Sequence, residues 1–414
     1  RRAVDLGEVA PARSRHAGKR SAVAMDQERI VVGTADGDVR AIDRTTLDEA
    51  WRATVDTELT GDAAELTSVV AATAVGESYV AVGERGPAGA IRVYDRDTGD
   101  RRWRYETRSD VGAAQKETRF FLPFIAAMQA IDDRLYVAAR RYERDGEDRS
   151  FSSAMYAFEG DGGVRWQYAT DASPISFDVD PDRVAVAFNR CTGEDQHGLV
   201  VLDADTGDVR QTWGPGTEGQ RRVGDVSLGP SGIAVASHGD YRGYLLDDDG
   251  SEQWAVDLAR PTDIDGERLY AYPNHVYAAA DGVLFVTGNT YSMDGRETES
   301  LHPNEHTAVG VSGSGDPRWR ATVGGFASEI AADGTRVAVP GAQHFRTREA
   351  DVHGLRAFEV DDGPGEAIVT DGVVTAAAID GETICVIEEP VIYHDEGDRR
   401  GDYRLYKFSL DTEH

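Results

Sequence analysis

The chain has 414 residues, 40% of them apolar, and a formal net charge of −30 from 74 acidic and 44 basic side chains. It is long enough to bury a sizeable core, too apolar for wholesale disorder, and lacks the run of ~18 apolar residues that a membrane-spanning helix needs. So acidic a chain repels nucleic-acid phosphates and anionic lipid, which excludes nucleic acid as a partner.

Asp outnumbers Glu 46 to 28, and 41 basic residues are Arg against three lysines (Lys19, Lys116, Lys407). This composition resembles that of proteins from extremely halophilic archaea, where molar salt shortens the Debye length to about 3 Å or less. Cys191 and Cys385 are far apart and read as small buried hydrophobes, with no disulfide framework or CxxC zinc site. None of the four Asn positions begins a glycosylation sequon, and no apolar export segment follows Arg1-Arg2. The expected location is therefore the cytoplasm, with the cell envelope as the alternative.

In chain order, a short strand is predicted at 2–6, RAVDL. The six tryptophans then each end a similar phrase: AIDRTTLDEAW (41–51), VYDRDTGDRRW (93–103), AFEGDGGVRW (157–166), VLDADTGDVRQTW (201–213), LLDDDGSEQW (245–254) and VGVSGSGDPRW (309–319). Two further copies lack the Trp: LRAFEVDDGPGEA (355–367) and YRLYKFSLDT (403–412). The stretch before each turn alternates, as in Val39, Ala41 and Asp43, which is the period-two pattern of a strand. Asp-x-x-Thr-Gly supplies the turn, because Gly accepts positive φ and Asp and Thr bond the local backbone. Two more apolar runs precede each phrase: 68–75 and 79–82 in the second copy, 223–228 and 233–236 in the fifth, 373–379 and 383–387 in the eighth.

The unit is thus four short antiparallel strands, A to D, with one Trp on D. Eight units of about 52 residues predict an all-β, eight-bladed β-propeller. The eighth copy stops after strand C, and RAVDL at 2–6 repeats WAVDL at 254–258, the D strand of the fifth copy, with only the Trp changed. The N-terminal strand, about 2–7, is expected to complete the last blade and leave no loose sheet edge, in one domain spanning 1–414.

The phrase A-x-D-x-x-T-G-x-x-x-W resembles the tryptophan-docking repeat of the pyrroloquinoline-quinone family of eight-bladed propellers. The second copy departs in Val93 and the first in Leu47, which replaces Gly. The resemblance covers essentially the whole chain. It implies that Trp51, Trp103, Trp166, Trp213, Trp254 and Trp319 are structural and dock against the neighbouring blade. The family contains quinoprotein alcohol dehydrogenases and also non-enzymatic members, such as a bacterial outer-membrane assembly lipoprotein, that bind other proteins. The dehydrogenases carry two adjacent cysteines in a ring disulfide over the quinone, and Cys191 and Cys385 are not adjacent. Their calcium ligands and catalytic Asp do not map onto this sequence. The resemblance therefore implies a propeller with no cofactor.

In such propellers the D–A and B–C connections share one face. Here the B–C connections at 140–151, 189–197, 288–304, 341–352 and 388–401 read as long loops, as do the D–A connections at 56–66, 107–122 and 258–273. Long loops on a rigid scaffold are where function concentrates. His197, His302, His306, His344, His353 and His394 fall in or beside the B–C loops, and His238 ends strand B of the fifth blade. With Asp240, Tyr241, Asn289, Tyr291 and Arg346 they are the candidate binding residues. Phe120, Phe121, Arg140, Arg141, Tyr142, Asn189, Arg190 and Tyr393 join them, because aromatics and Arg anchor protein interfaces.

His302-Pro303-Asn304-Glu305-His306 spells H-x-x-E-H, an inverted zinc-peptidase pattern. That chemistry needs a helix to align both imidazoles, and Pro303 and the following strand oppose one. His302, Glu305 and His306 remain metal candidates by pattern alone. Asp178-x-Asp180-x-Asp182 reads as an acidic A–B turn, since Arg183 stands where a calcium loop wants Gly. No phosphate-binding loop, nucleophile elbow or dinucleotide glycine set occurs. The expected function is a non-catalytic scaffold presenting its loop-rich face to a protein partner. The alternative is a quinone- or metal-dependent oxidoreductase with its site at the channel mouth.

Overall fold

The computed structural model describes residues 1–12, 21–55, 70–118, 120–344, 346, 350–393 and 397–409, with backbone only for 70–72. Its strands build eight four-stranded antiparallel blades in a ring, an eight-bladed β-propeller. Blade 2 is typical: A is Val70–Val75, B is Tyr79–Glu84, C is Ala90–Asp95 and D is Arg101–Glu106. Strand B is buried along its whole length, whereas D alternates and carries three arginines on its outer edge. Buried apolar runs suit strands sandwiched between neighbouring blades, and charged D strands discourage edge-to-edge pairing.

The core is divided among the blade interfaces. Between blades 2 and 3, Ala81, Ile91 and Val93 meet Val137, Tyr156 and Phe158. The last interface closes the ring: Leu6 with Ile387, Tyr403 and Leu405 of blade 8 packs on Ile30, Val32 and Ile42 of blade 1. The N-terminal strand Arg2–Asp5 pairs antiparallel with Arg404–Ser409, Arg2 opposite Lys407, and so supplies the missing D strand of blade 8.

Tryptophans lock successive blades. Trp51 Nε1 donates to Arg96 O (2.7 Å), Trp103 to Gly160 O (3.2 Å), Trp166 to Ala204 O (2.9 Å), Trp254 to Gly313 O (3.0 Å) and Trp319 to Val360 O (2.9 Å). Each acceptor lies in or beside the C–D turn of the next blade. Gly207 in one such turn has φ +75°, and a Cβ there would come within 2.7 Å of the Trp166 ring, so only Gly allows both the turn and the close approach. Trp213 differs from the expectation. It pairs with Leu199, while Gln211 pairs with Val201 and fills the docking position beside Gly250. The fourth phrase is two residues longer, so its Trp overshoots and packs on Tyr244 instead, ring centroids 5.0 Å apart.

Several expected loops are wholly or partly strand. The 140–151 segment is a hairpin in which Arg134–Asp145 pairs with Asp148–Phe158 out to Asp145 opposite Asp148. In blade 6, Glu267–Ala278 and Gly282–Ser292 extend the A and B strands, and Thr262–Ile264 adds a fifth strand. The 107–122 connection contains a short helix, Arg108–Val111. The 56–66 connection and His394 lie outside the described residues.

Candidate functional site

The A strands line a central cavity of about 750 Å³ that opens towards Asn189, Arg221, His238, Tyr272, Asn289 and Tyr291. A strands of neighbouring blades are not paired with each other, so their backbone groups need other partners. Channel side chains provide them. Asp178 Oδ2 accepts from Leu228 N (2.7 Å), Asp225 Oδ2 from Val276 N (2.9 Å) and Glu329 Oε1 from Ala377 N (3.1 Å). Ser227 Oγ accepts from Ala278 N (3.1 Å), and His275 Nε2 donates to Ala327 O (3.0 Å). Burial raises the Asp178 carboxyl above the usual range. Burial alone would lower His275, but Asp225, 3.7 Å from its Nδ1, raises it on balance. The structure corrects one reading here: Asp178 sits on strand A (Ala172–Val179), and Asp180 makes the turn by accepting from Asp182 and Arg183 amides at 2.9 Å.

At the mouth, arginines from three consecutive blades converge. Arg140 stacks over Phe124 (4.6 Å) and donates to Ser173 Oγ and Pro174 O. Burial, then Arg190, pulls Arg140 down to about 10. Arg190 is lowered by burial, then by Arg221 and Arg149. Arg221 lies over the Tyr272 ring at 4.6 Å. Among the described residues, none of Arg140, Arg149, Arg190 and Arg221 has a carboxylate within ion-pair distance.

Tyr272 belongs to a group of four half-buried tyrosines. Tyr241 lies 4.6 Å from Tyr270 and 5.7 Å from Tyr272, and Tyr291 lies 5.8 Å and 5.3 Å from the same two. Tyr241 adopts φ 67°, its carbonyl accepting from Leu258 and Ala259 amides. His238 donates from Nδ1 to Asn189 Oδ1 (3.2 Å) and faces Tyr272 at 4.7 Å. Burial, reinforced by Arg221, lowers its pKa to about 3, so it is neutral at ordinary pH. Asp240 accepts from the Tyr244 hydroxyl.

The remaining candidates separate into distinct settings. His353 is fully buried, with Nδ1 on Asp371 O (2.8 Å) and Nε2 on the Tyr393 hydroxyl (2.5 Å), which removes it from any surface a ligand reaches. His197 is exposed, and Arg346 is exposed and paired with Glu299. His302 is turned away from its motif partners: Nε2 donates to Arg260 O (3.2 Å) and Nδ1 accepts from Asn304 N (3.1 Å). Glu305 and His306 instead meet His344 from the next blade, with one ligand atom of each within 4.8 Å of the others. Burial pulls His306 to about 4 and also lowers His344.

Sequence reasoning missed Arg221, Tyr270, Tyr272 and the channel carboxylates. Tyr270-x-Tyr272 does alternate in strand fashion, but it lies within the 258–273 connection, whose composition reads as a loop.

Two overlapping stretches, 10–119 and 35–231, match the family model described as outer membrane protein assembly factor BamB, together spanning more than half of the chain. No curated protein sequence matches. Among solved structures, BamB from Moraxella catarrhalis is 16% identical with a TM-score of 0.56, covering 99% of this chain and 98% of its own. Quinohemoprotein alcohol dehydrogenase from Comamonas testosteroni is 12% identical with a TM-score of 0.57, covering 97% and 78%. A europium-containing methanol dehydrogenase is 12% identical with a TM-score of 0.59, covering 99% and 92%. At these identities the likeness is one of fold. Repeat phrase, ring and family match agree, and the chain belongs to the BamB-like family of pyrroloquinoline-quinone-type propellers.

Proposed function

We propose that the chain is a non-catalytic binding propeller that engages a protein partner through the tyrosine–arginine cluster at its channel mouth. The observation that carries this reading is the convergence of Arg140, Arg190 and Arg221, none with a carboxylate partner among the described residues, in a chain of net charge −30. Guanidinium groups already desolvated by their neighbours form strong charge-assisted bonds to an incoming carboxylate. Tyrosine and arginine are also the side chains that anchor protein interfaces. The matching family model, described as an outer membrane protein assembly factor, favours the same direction.

The family also implies a calcium-bound quinone, and the residues present do not fit it. Cys191 and Cys385 stand in blades 4 and 8, both buried, their thiols pushed up to about 11 and about 12 by burial. Asp178, Asp225 and Glu329 are spent on backbone amides of the neighbouring blade. Among the described residues the one converging group of metal-ligating side chains, Glu305, His306 and His344, does not line the central cavity.

The test is photo-crosslinking in cells, with a benzophenone amino acid placed at Tyr241 or Tyr291 and, as control, at Thr206 on the opposite face. A discrete adduct from the mouth positions, lost with Arg190→Glu and Arg221→Glu, is the expected result. Equal adducts from Thr206, or a stoichiometric quinone extracted from the purified protein, would overturn the proposal.

A further inference from the structure

Glu305, His306 and His344 form a second site beside the mouth, where the B–C connections of blades 6 and 7 meet. We propose that these three side chains bind a first-row divalent metal ion, with zinc the best match.

His306 is 2% exposed, and its Nδ1 is buried without a hydrogen-bond partner among the described residues. The other ring nitrogen, Nε2, faces Asn289 Oδ1 at 3.0 Å. A carboxamide oxygen only accepts, so Nε2 carries the proton and Nδ1 a lone pair. That buried lone pair accepts no hydrogen bond from the described residues, a costly arrangement that a cation would relieve. A histidine that ligates a metal through one nitrogen and donates the other to an oxygen is the usual arrangement around a bound ion.

Glu305 is set up in the same way. One carboxylate oxygen, Oε2, accepts from the Thr290 amide at 2.9 Å. The other, Oε1, lies 3.9 Å from His306 Nδ1 and 3.8 Å from His344 Nε2. Tetrahedral zinc with bonds of about 2.0–2.2 Å places its ligand atoms roughly 3.3–3.6 Å apart. The two separations to Oε1 are a few tenths of an ångström wider than that, and the 4.8 Å limit on the group requires one further adjustment, which falls to His344 on the loop. His344 Nδ1 receives the Arg346 amide at 3.2 Å, so its proton sits on Nε2. Loading moves that proton to Nδ1 and releases the amide contact, freeing the Nε2 lone pair for the metal. Two imidazoles and one carboxylate are a zinc-type ligand set, and three protein ligands leave a fourth position for water. His344, with 13% of its side chain accessible, marks the open side.

The test uses the full chain, stripped with chelator and titrated with zinc against a chromophoric competitor, then with cobalt as a spectroscopic substitute. Wild type is expected to take up one equivalent and to give the intense visible absorption of tetrahedral cobalt. Glu305→Gln keeps the Thr290 bond through its amide oxygen, and His344→Ala alters a partly exposed loop residue, so both fold. Each should weaken zinc binding by at least ~100-fold, and Asn289→Ala by ~10–100-fold. Exposed His197→Ala is the control and should bind as wild type does. A wild-type chain that takes up no stoichiometric zinc, or Glu305→Gln and His344→Ala variants that bind it undiminished, would overturn the assignment.

Discussion

Trp166→Ala tests the blade-locking mechanism most directly. Trp166 is 7% exposed, presses on Gly207 of blade 4 and donates to Ala204 O. Truncating a buried Trp to Ala costs roughly 3–5 kcal/mol, of which the lost hydrogen bond supplies about 1 kcal/mol. For 414 residues, an unfolding entropy of about 2.1 cal/mol/K per residue makes 4 kcal/mol equivalent to roughly a 5 °C fall in Tm. Trp213 offers the internal comparison. It is half-buried, packs on Tyr244, and has no turn beneath it. Trp213→Ala should therefore cost only about 1–2 kcal/mol. The reciprocal change, Gln211→Trp, puts the indole at the docking position of blade 4 beside Gly250 and should raise Tm. Calorimetry on the three variants decides the matter. Equal losses for Trp166→Ala and Trp213→Ala would refute docking as the source of the stability.

Two further outcomes follow from the carboxylates. Asp95 is held down to about 2 by Arg102 and then by the Thr98 and Asp97 amides, and Asp203 to about 2 by Arg210 and the Thr206 amide. Folded values below the unfolded value of about 4 mean stability that is present above that pH and lost as pH falls towards 2. The Asp95→Asn/Asp203→Asn double variant should flatten the acid limb of Tm against pH, and an unchanged limb would contradict the assignment. Asp225→Ala should cost about 2–4 kcal/mol by guanidinium unfolding, because it strands the buried Val276 amide and the Ser176 hydroxyl. Near-wild-type stability there would mean that the channel carboxylates do not staple the blades.

The blades were legible because their turns are local chemistry. Asp43 Oδ1 accepts from the Thr45 and Thr46 amides, and Asp95 and Asp203 repeat the arrangement. Ring closure was legible because the 2–6 segment copies another D strand. The hairpin at 140–151 was not, since Glu143–Asp145 and Asp148–Ser150 are exposed or half-exposed on both faces and carry no period-two signal. Trp213 misled because the eye follows the Trp. Counting from the turn Asp finds the position instead, since Asp203 to Gln211 is the same step as Asp43 to Trp51 and Asp95 to Trp103. Arg140, Arg190, Glu305, His306 and His344 were legible as single candidates, but their grouping was not, for another reason. The members of each group come from different blades, and only the ring brings them together.

The distribution of ion pairs sharpens the case for the mouth as an interaction site. Around the C–D turns, Arg102 pairs with Asp95, Arg210 with Asp203, Arg134 with Asp205 and Arg318 with Asp361. With 74 acidic residues in the chain, carboxylates are not scarce. Yet Arg190 depresses Arg140, Arg221 depresses Arg190, and none of the three has a carboxylate partner among the described residues. Folding alone would favour a carboxylate among them, since one would relieve both repulsion and desolvation. Its absence makes sense if the counter-charge arrives from outside. Association through this mouth should then weaken steeply with ionic strength wherever the contact is solvent-exposed, and less so at buried Arg140.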